Sequence, residues 1–108
     1  MAKIPCEYEE IINVKFAKVQ KNYLDTYSAI AAGATATYNI DISQSGYTPI
    51  GLAGFGVYTS SPNSGACAVL RTSIGTSGTT GTIEIKNVTS VAATPYMVYL
   101  IVTYVSNS

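Results

Sequence analysis

The residues that could carry out catalysis in this chain are few, and histidine is absent from all 108 positions. Without histidine the commonest general base is missing, and no Ser-His or Cys-His pair can be assembled within one chain. Asp41 and Glu84 remain as a formal acid/base pair of the kind that glycosidases place on either side of a sugar. Both carboxylates alternate with apolar residues, which is typical of outward-facing side chains on strands. We therefore expect a protein that is not an enzyme.

Cys6 and Cys67 stand far apart, in a chain that lacks histidine. This spacing does not fit the usual zinc sites, so we expect neither a metal ion nor a cofactor. A disulfide would close a long loop, but a chain made in a reducing cytosol more often keeps such residues as small buried thiols, and we expect free thiols. The glycine-rich residues 51–56 superficially suggest a phosphate loop. No lysine and no helix follow them, so a glycine-rich strand is the better interpretation.

Tyrosine is the residue type best suited to binding here, with nine copies in the chain. Exposed tyrosines among Ser, Thr, Asn and Gly form adaptable contact surfaces at a low entropic cost. Tyr47 lies beside a predicted turn and Tyr58 at the end of a predicted strand, so we predict these two as ligand-binding residues. The alternative is that each is a rim residue that caps the core.

The elements that must position these residues are strands. Alternating apolar and polar residues, separated by turns rich in Gly and Ser, predict strands over residues 35–43, 50–59, 66–74, 82–89 and 96–105. The density of glycine in the second of these predicts bulges or close backbone approach. Together they predict an all-β protein, an antiparallel β-sandwich with a jelly-roll-like arrangement, over residues 26–108.

Residues 1–25 differ from the rest and are predicted to be an attachment or oligomerisation segment. They hold eight of the twelve charged residues, which are six basic and six acidic in the whole chain. Ile12, Phe16, Val19 and Tyr23 fit a helical stripe, but the β-branched and aromatic residues of this segment favour a strand. The net charge of zero provides no basic field for phosphates, so nucleic acid is not an expected partner.

Neither export nor membrane insertion is expected. Residues 1–5 lack the apolar core of a secretory signal, and Glu7, Glu9 and Glu10 follow them. The longest apolar run, residues 96–102, is far shorter than the roughly 20 residues of a membrane-spanning helix. The sequon that begins at Asn87 is therefore interpreted as a chance occurrence.

The last predicted strand is apolar on both of its faces. One face carries Tyr96, Val98, Leu100, Val102 and Tyr104, and the other carries Met97, Tyr99, Ile101 and Val105. Since one face of a small antiparallel sheet normally meets water, the second set is predicted to form an oligomer interface. The alternative is that the N-terminal segment covers this face.

One segment resembles a known family. Residues 39–52 read Asn39-Ile40-Asp41-Ile42-Ser43-Gln44-Ser45-Gly46-Tyr47-Thr48-Pro49-Ile50-Gly51-Leu52 and continue to Gly54-Phe55. This pattern, with residues 81–87 and 99–104 downstream, is similar to small β-domains at the distal ends of bacteriophage tail fibres and in related virion appendages. The resemblance covers roughly residues 30–105.

The resemblance implies a homotrimeric structural component of a phage virion, found in the virion after synthesis in the bacterial cytoplasm. Such a component ends a tail fibre or contacts the host surface, where a glycan is an expected partner. Because the chain begins at Met1 without a long shaft, we expect a stand-alone head fibre or capsid-decorating protein. Residues 1–25 would then contact other virion proteins. The alternative function is a monomeric carbohydrate-binding module.

Overall fold

A computed structural model of the protein describes residues 17–75 and 77–107, in which all the regular structure is β-strand. The strands are β1 (Ala17–Tyr23), β2 (Thr35–Asp41), β3 (Tyr47–Thr59), β4 (Cys67–Ile74), β5 (Thr80–Asn87) and β6 (Pro95–Ser106). No helix in the described part of the chain is long and apolar enough to cross a membrane. The prediction of an all-β protein is confirmed.

The six strands form two antiparallel sheets of three strands each. Sheet 1 has the order β1-β6-β3, and sheet 2 has the order β2-β5-β4. The fully buried core draws on both sheets, with Ile40, Ile83 and Ile85 from sheet 2 and Val98, Leu100, Val102 and Tyr104 from sheet 1. The predicted β-sandwich is therefore confirmed. A jelly roll has eight strands and the described residues supply six, so that arrangement stays a prediction.

The first strand lies within the segment that was predicted to be an attachment module. β1 pairs with β6 along its whole length, from Ala17 opposite Val105 to Tyr23 opposite Tyr99. Residues 17–23 are thus an edge strand of sheet 1, and the boundary predicted at Asp25 falls in the connection to β2. The strand interpretation is confirmed for these residues, and the helical alternative is wrong for them. Residues 1–16 lie outside the described residues, and their role in attachment stays a prediction.

The hydroxyl of Tyr104 ties three parts of the sandwich together from inside the core. Tyr104 Oη donates a hydrogen bond to the Ile42 carbonyl at 2.6 Å and accepts one from Asn22 Nδ2 at 2.9 Å. Burial raises the pKa of Tyr104, so its phenol keeps the proton that it donates. These two bonds hold β6 to β1 and to the residue that follows β2.

Asn87, the first residue of the sequon, is fully buried at the end of β5. Its Nδ2 donates hydrogen bonds to the carbonyls of Ile30 at 2.9 Å and Val91 at 2.8 Å. Its Oδ1 accepts from the backbone N–H of Thr89 at 2.9 Å and from the Thr89 hydroxyl at 2.7 Å. The Asn-X-Thr pattern therefore has a structural use in this fold, since it organises the loop between β5 and β6.

Four single-residue bulges interrupt the regular alternation of the strands. Ile50 and Ala53 are the extra residues in β3, Leu70 in β4 and Tyr96 in β6. A bulge leaves one residue unpaired and turns its side chain relative to its neighbours. The bulges in the glycine-rich part of β3 confirm what the density of glycine predicted.

Candidate functional site: the apolar face of sheet 1

The two outer faces of the sandwich differ in chemistry. The outer face of sheet 2 is polar, and its side chains bond to one another: Arg71 Nε lies 3.0 Å from Glu84 Oε1, and Thr82 Oγ1 donates to Asn39 Oδ1 at 3.0 Å. The outer face of sheet 1 is mostly apolar, and we call it the apolar face. Its residues are Ala17, Val19, Lys21 and Tyr23 of β1, Met97, Tyr99, Ile101, Thr103 and Val105 of β6, and Thr48, Gly51, Gly54, Gly56 and Tyr58 of β3.

The four residues predicted as an oligomer interface lie together along the centre of the apolar face. Met97, Tyr99, Ile101 and Val105 alternate along β6 with the buried core residues, and each is half-buried. The expected division of β6 into two apolar faces is therefore confirmed from Met97 to Val105. Tyr96 is the exception, since it is exposed rather than buried with Val98. The role of the four residues in an interface stays a prediction.

Lys21 carries the single charge among the residues of the apolar face. Its Nζ lies 4.9 Å from the centroid of the Tyr99 ring, within the range of a cation–π contact. The charge is thus partly satisfied within the chain.

Glycines of β3 let side chains of β6 lie flat across the sheet. A Cβ atom built on Gly54 would lie 3.3 Å from Ile101 Cδ1, and one built on Gly56 would lie 2.5 Å from Tyr99 Oη. The Tyr99 ring therefore occupies the space that a side chain at position 56 would need. The result is a low surface without a ridge along β3.

Three tyrosines meet where β3 ends, and we call Tyr58, Tyr96 and Tyr99 the tyrosine cluster. The ring centroid of Tyr58 lies 5.8 Å from that of Tyr96, with the rings 27° apart, and 5.5 Å from that of Tyr99. A hydrogen bond to Tyr58 is the main cause of a raised pKa at Tyr99, so the Tyr99 phenol stays protonated at neutral pH. Tyr23 of β1 stands directly opposite Tyr99.

The two tyrosines predicted to bind a ligand lie at opposite ends of β3. They are eleven residues apart on one strand, which separates them by about 35 Å, so they do not share a site. The Tyr47 ring meets Tyr104 edge-on at 6.5 Å, and Lys18 Nζ lies 4.4 Å from its centroid. This placement fits the alternative that Tyr47 caps the core. Tyr58 is exposed and belongs to the tyrosine cluster.

The two carboxylates considered for acid/base chemistry are held apart on sheet 2. Glu84 stands four positions along β5 from the residue that pairs with Asp41, a separation of about 13 Å, and glycosidase carboxylates lie about 5 to 9.5 Å apart. Asp41 accepts hydrogen bonds from the Ser43 hydroxyl at 2.7 Å and from its N–H at 2.9 Å, and these lower the pKa of Asp41. The hydrogen bonds between Asp41 and Ser43 are those of a local turn after β2.

Residues 17–75 and 77–107 contain no group of three or more acidic, Cys or His side chains that could hold a metal ion, and no pocket is found among these residues. Cys67 is a half-buried free thiol in β4, and burial raises its pKa. Cys6 lies outside the described residues.

The interpretation of the sequence missed Tyr96 and Tyr23 as members of a tyrosine-rich surface. Strict alternation assigns Tyr96 to the inner face, and only the bulge brings it out beside Tyr58. The sequence pattern presents Tyr23 only as one position of a helical stripe.

No family model matches the chain, and comparison with curated protein sequences and with solved structures finds none that is similar.

Proposed function

We propose that this chain is a non-enzymatic structural or adhesive protein that associates with copies of itself, as a trimer, through the apolar face of sheet 1. The observation that carries the proposal is the contrast between the two outer faces. Sheet 2 presents polar side chains that bond to one another, whereas sheet 1 presents Val19, Ile101 and Val105 beside several tyrosines. A contiguous exposed apolar surface of this kind marks an interaction site.

A second copy of the same chain suits this face because almost no charge must be desolvated. Lys21 already lies over the Tyr99 ring, and the remaining residues of the face are neutral. Burying an unpaired charge is costly, whereas a neutral low surface can meet its own copy around a symmetry axis without that cost. The polar outer face of sheet 2 would then remain in water.

The setting in a phage virion is supported by the resemblance of residues 39–52 to tail-fibre tips and virion appendages. In this structure the segment comprises the end of β2, the following turn and the start of β3. A homotrimer that ends a fibre or decorates a capsid would use the part of the apolar face around Val19, Ile101 and Val105 between subunits. Residues 1–16, which precede β1, would contact other virion proteins, and the outer loops would contact a host-surface glycan.

Sedimentation velocity of the full chain over a range of concentrations tests the self-association. We expect a trimer, and we expect Val19→Glu to convert it to a monomer, because the new carboxylate would lie unpaired in the interface. Val88→Glu is the matched control, since Val88 is 56% exposed, close to the 60% of Val19, but lies outside the apolar face. A wild-type chain that stays monomeric, or a Val19→Glu variant that stays trimeric, would rule out this interface.

A further inference from the structure

The apolar face has two chemically different ends. Towards the start of β1 its residues are aliphatic, with Val19 and Val105, and the opposite end carries four of the nine tyrosines. At that end Tyr23 is 51% exposed, Tyr58 42% and Tyr96 61%. Side chains this large and this open add little to the core of the sandwich.

Two local departures from regular strand structure bring the tyrosine rings together. The bulge in β6 releases Tyr96 from the inner face and places its ring against Tyr58. Gly56 leaves the space in which the Tyr99 ring lies across β3. A bulge interrupts the ladder and a glycine weakens a strand, so both features work against the stability of the sheet. Bulges of this kind are common where a side chain is re-aimed towards a binding site.

We propose that the tyrosine cluster, flanked by Tyr23, is a binding site for a neutral saccharide. The flat faces of the phenol rings match the C–H faces of a sugar ring, and the phenol hydroxyls can bond to sugar hydroxyls. The exposed Ser60 and Ser61 follow β3 at this end and add further hydroxyl groups.

The neutrality of the surface decides which saccharide fits. Lys21 is the only charge among the described residues of the apolar face, and its ammonium group already lies over Tyr99. A sulfated or phosphorylated glycan would find no free cation among these residues. A protein partner would cover the phenol hydroxyls in a dry contact, whereas a hydrated sugar supplies partners for them.

This inference goes beyond self-association and does not depend on it. Self-association through the aliphatic end, which includes Val19 and Val105, would leave the tyrosine cluster open to a ligand, because that end lies away from Tyr96 along the same face. Saccharide binding is measured on whatever oligomer the chain forms, so a failure of one proposal does not hide the outcome of the other.

The test is isothermal titration of the full chain with neutral oligosaccharides of glucose, galactose, mannose and N-acetylglucosamine. We expect at least one to bind, and we expect Tyr96→Ala to weaken it roughly three- to tenfold, as the loss of one aromatic contact implies. Phe55→Ala is the matched control, because it removes an exposed aromatic ring from the opposite face of β3, and it should leave the affinity unchanged.

Tyr58→Ala removes the central ring of the cluster and should weaken binding at least as much as Tyr96→Ala. The far-ultraviolet circular dichroism of each variant confirms that it is folded. If none of the oligosaccharides binds, or if Tyr96→Ala and Tyr58→Ala bind as tightly as the wild type, the cluster is not a saccharide site. If Tyr96→Ala dissociates the oligomer and Phe55→Ala does not, the cluster is a subunit contact and the proposal fails.

Discussion

Replacing Gly56 with alanine tests whether the Tyr99 ring lies flat across β3. The new Cβ would lie 2.5 Å from Tyr99 Oη, 2.6 Å from Cζ and 2.8 Å from Cε1, where ordinary contacts are 3.4 to 4 Å. The ring must therefore move by about 1 Å. We expect a loss of about 1 to 2 kcal/mol in the free energy of unfolding, in the lower part of the range for overpacking, because the ring is free to lift towards solvent.

The backbone at Gly56 does not oppose the substitution, since the positive φ angles belong to Gly33, Gly46 and Gly78. In a Tyr99→Ala background the clash is absent, and Gly56→Ala should then stabilise the protein by about 0.4 to 1 kcal/mol, because it restricts the unfolded chain. The effect of Gly56→Ala on the free energy of unfolding therefore changes sign between the wild-type and the Tyr99→Ala background.

Gly81→Ala provides an internal comparison with the same initial overlap. Its Cβ would lie 2.5 Å from Leu100 Cδ1 and 3.2 Å from Ile42 Cγ2, but in the buried core, where no side chain can lift into water. We expect Gly81→Ala to lower the free energy of unfolding by about 3 kcal/mol, in the upper part of the same range for overpacking.

The assay is urea denaturation followed by circular dichroism, with every variant at one protein concentration because the proposed self-association would contribute to stability. If Gly56→Ala lowers the free energy of unfolding as much in the Tyr99→Ala background as in the wild type, the Tyr99 ring does not lie across β3 at Gly56. A smaller loss of unfolding free energy for Gly81→Ala than for Gly56→Ala would also contradict the expected difference between the core and the surface.

Two further predictions concern the core. Tyr104→Phe should lower the free energy of unfolding by about 1 to 3 kcal/mol, since it leaves the Ile42 carbonyl and the Asn22 amide without their buried partner; a thermal midpoint equal to that of the wild type would contradict this. In a Cys6→Ser background, Cys67 should react with Ellman's reagent more slowly in the folded than in the urea-unfolded protein, because burial raises its pKa. Because folding raises the pKa of Cys67, the contribution of its thiol to the free energy of unfolding is complete below the pKa of the unfolded thiol and falls as the pH rises above it. Equal rates of reaction with Ellman's reagent in the folded and unfolded protein would contradict both statements.

Much of the fold could be predicted because the apolar pattern of each strand follows the two-residue period of the backbone. The run from Val98 to Tyr104 alternates strictly, and every second residue in it is buried. The bulges in β4 and β6 break that period without a clear signal in the sequence. Strict alternation would place Leu70 on the same face as Ile74, but Leu70 is the extra residue of a bulge and is exposed, while Ile74 packs against the core.

The candidate site was predictable only in part. Tyr58 was predicted from its position at the end of a strand, but its neighbours come from two other parts of sheet 1. These tyrosines lie near Tyr58 only because β3 and β1 pair with β6 in a particular register. That register is set by the packing of the core, and no short sequence motif encodes it. Tyr47 has the same residue type and a similar position beside a turn, yet the ring of Tyr104 and the ammonium group of Lys18 cover it.

The bulges also limit which parts of the sandwich another copy could extend. Ile50 and Ala53 distort one edge of sheet 1, Pro49 lacks an N–H there, and Leu70 distorts the neighbouring edge strand of sheet 2, which packs beside β3. A strand from another molecule cannot extend a regular ladder along that side. On the other side Lys18 of β1 points towards the interior of the sandwich, a placement that discourages edge pairing. The proposed self-association would thereby be directed to the faces of the sheets, which favours a closed particle of fixed copy number over an open-ended fibril.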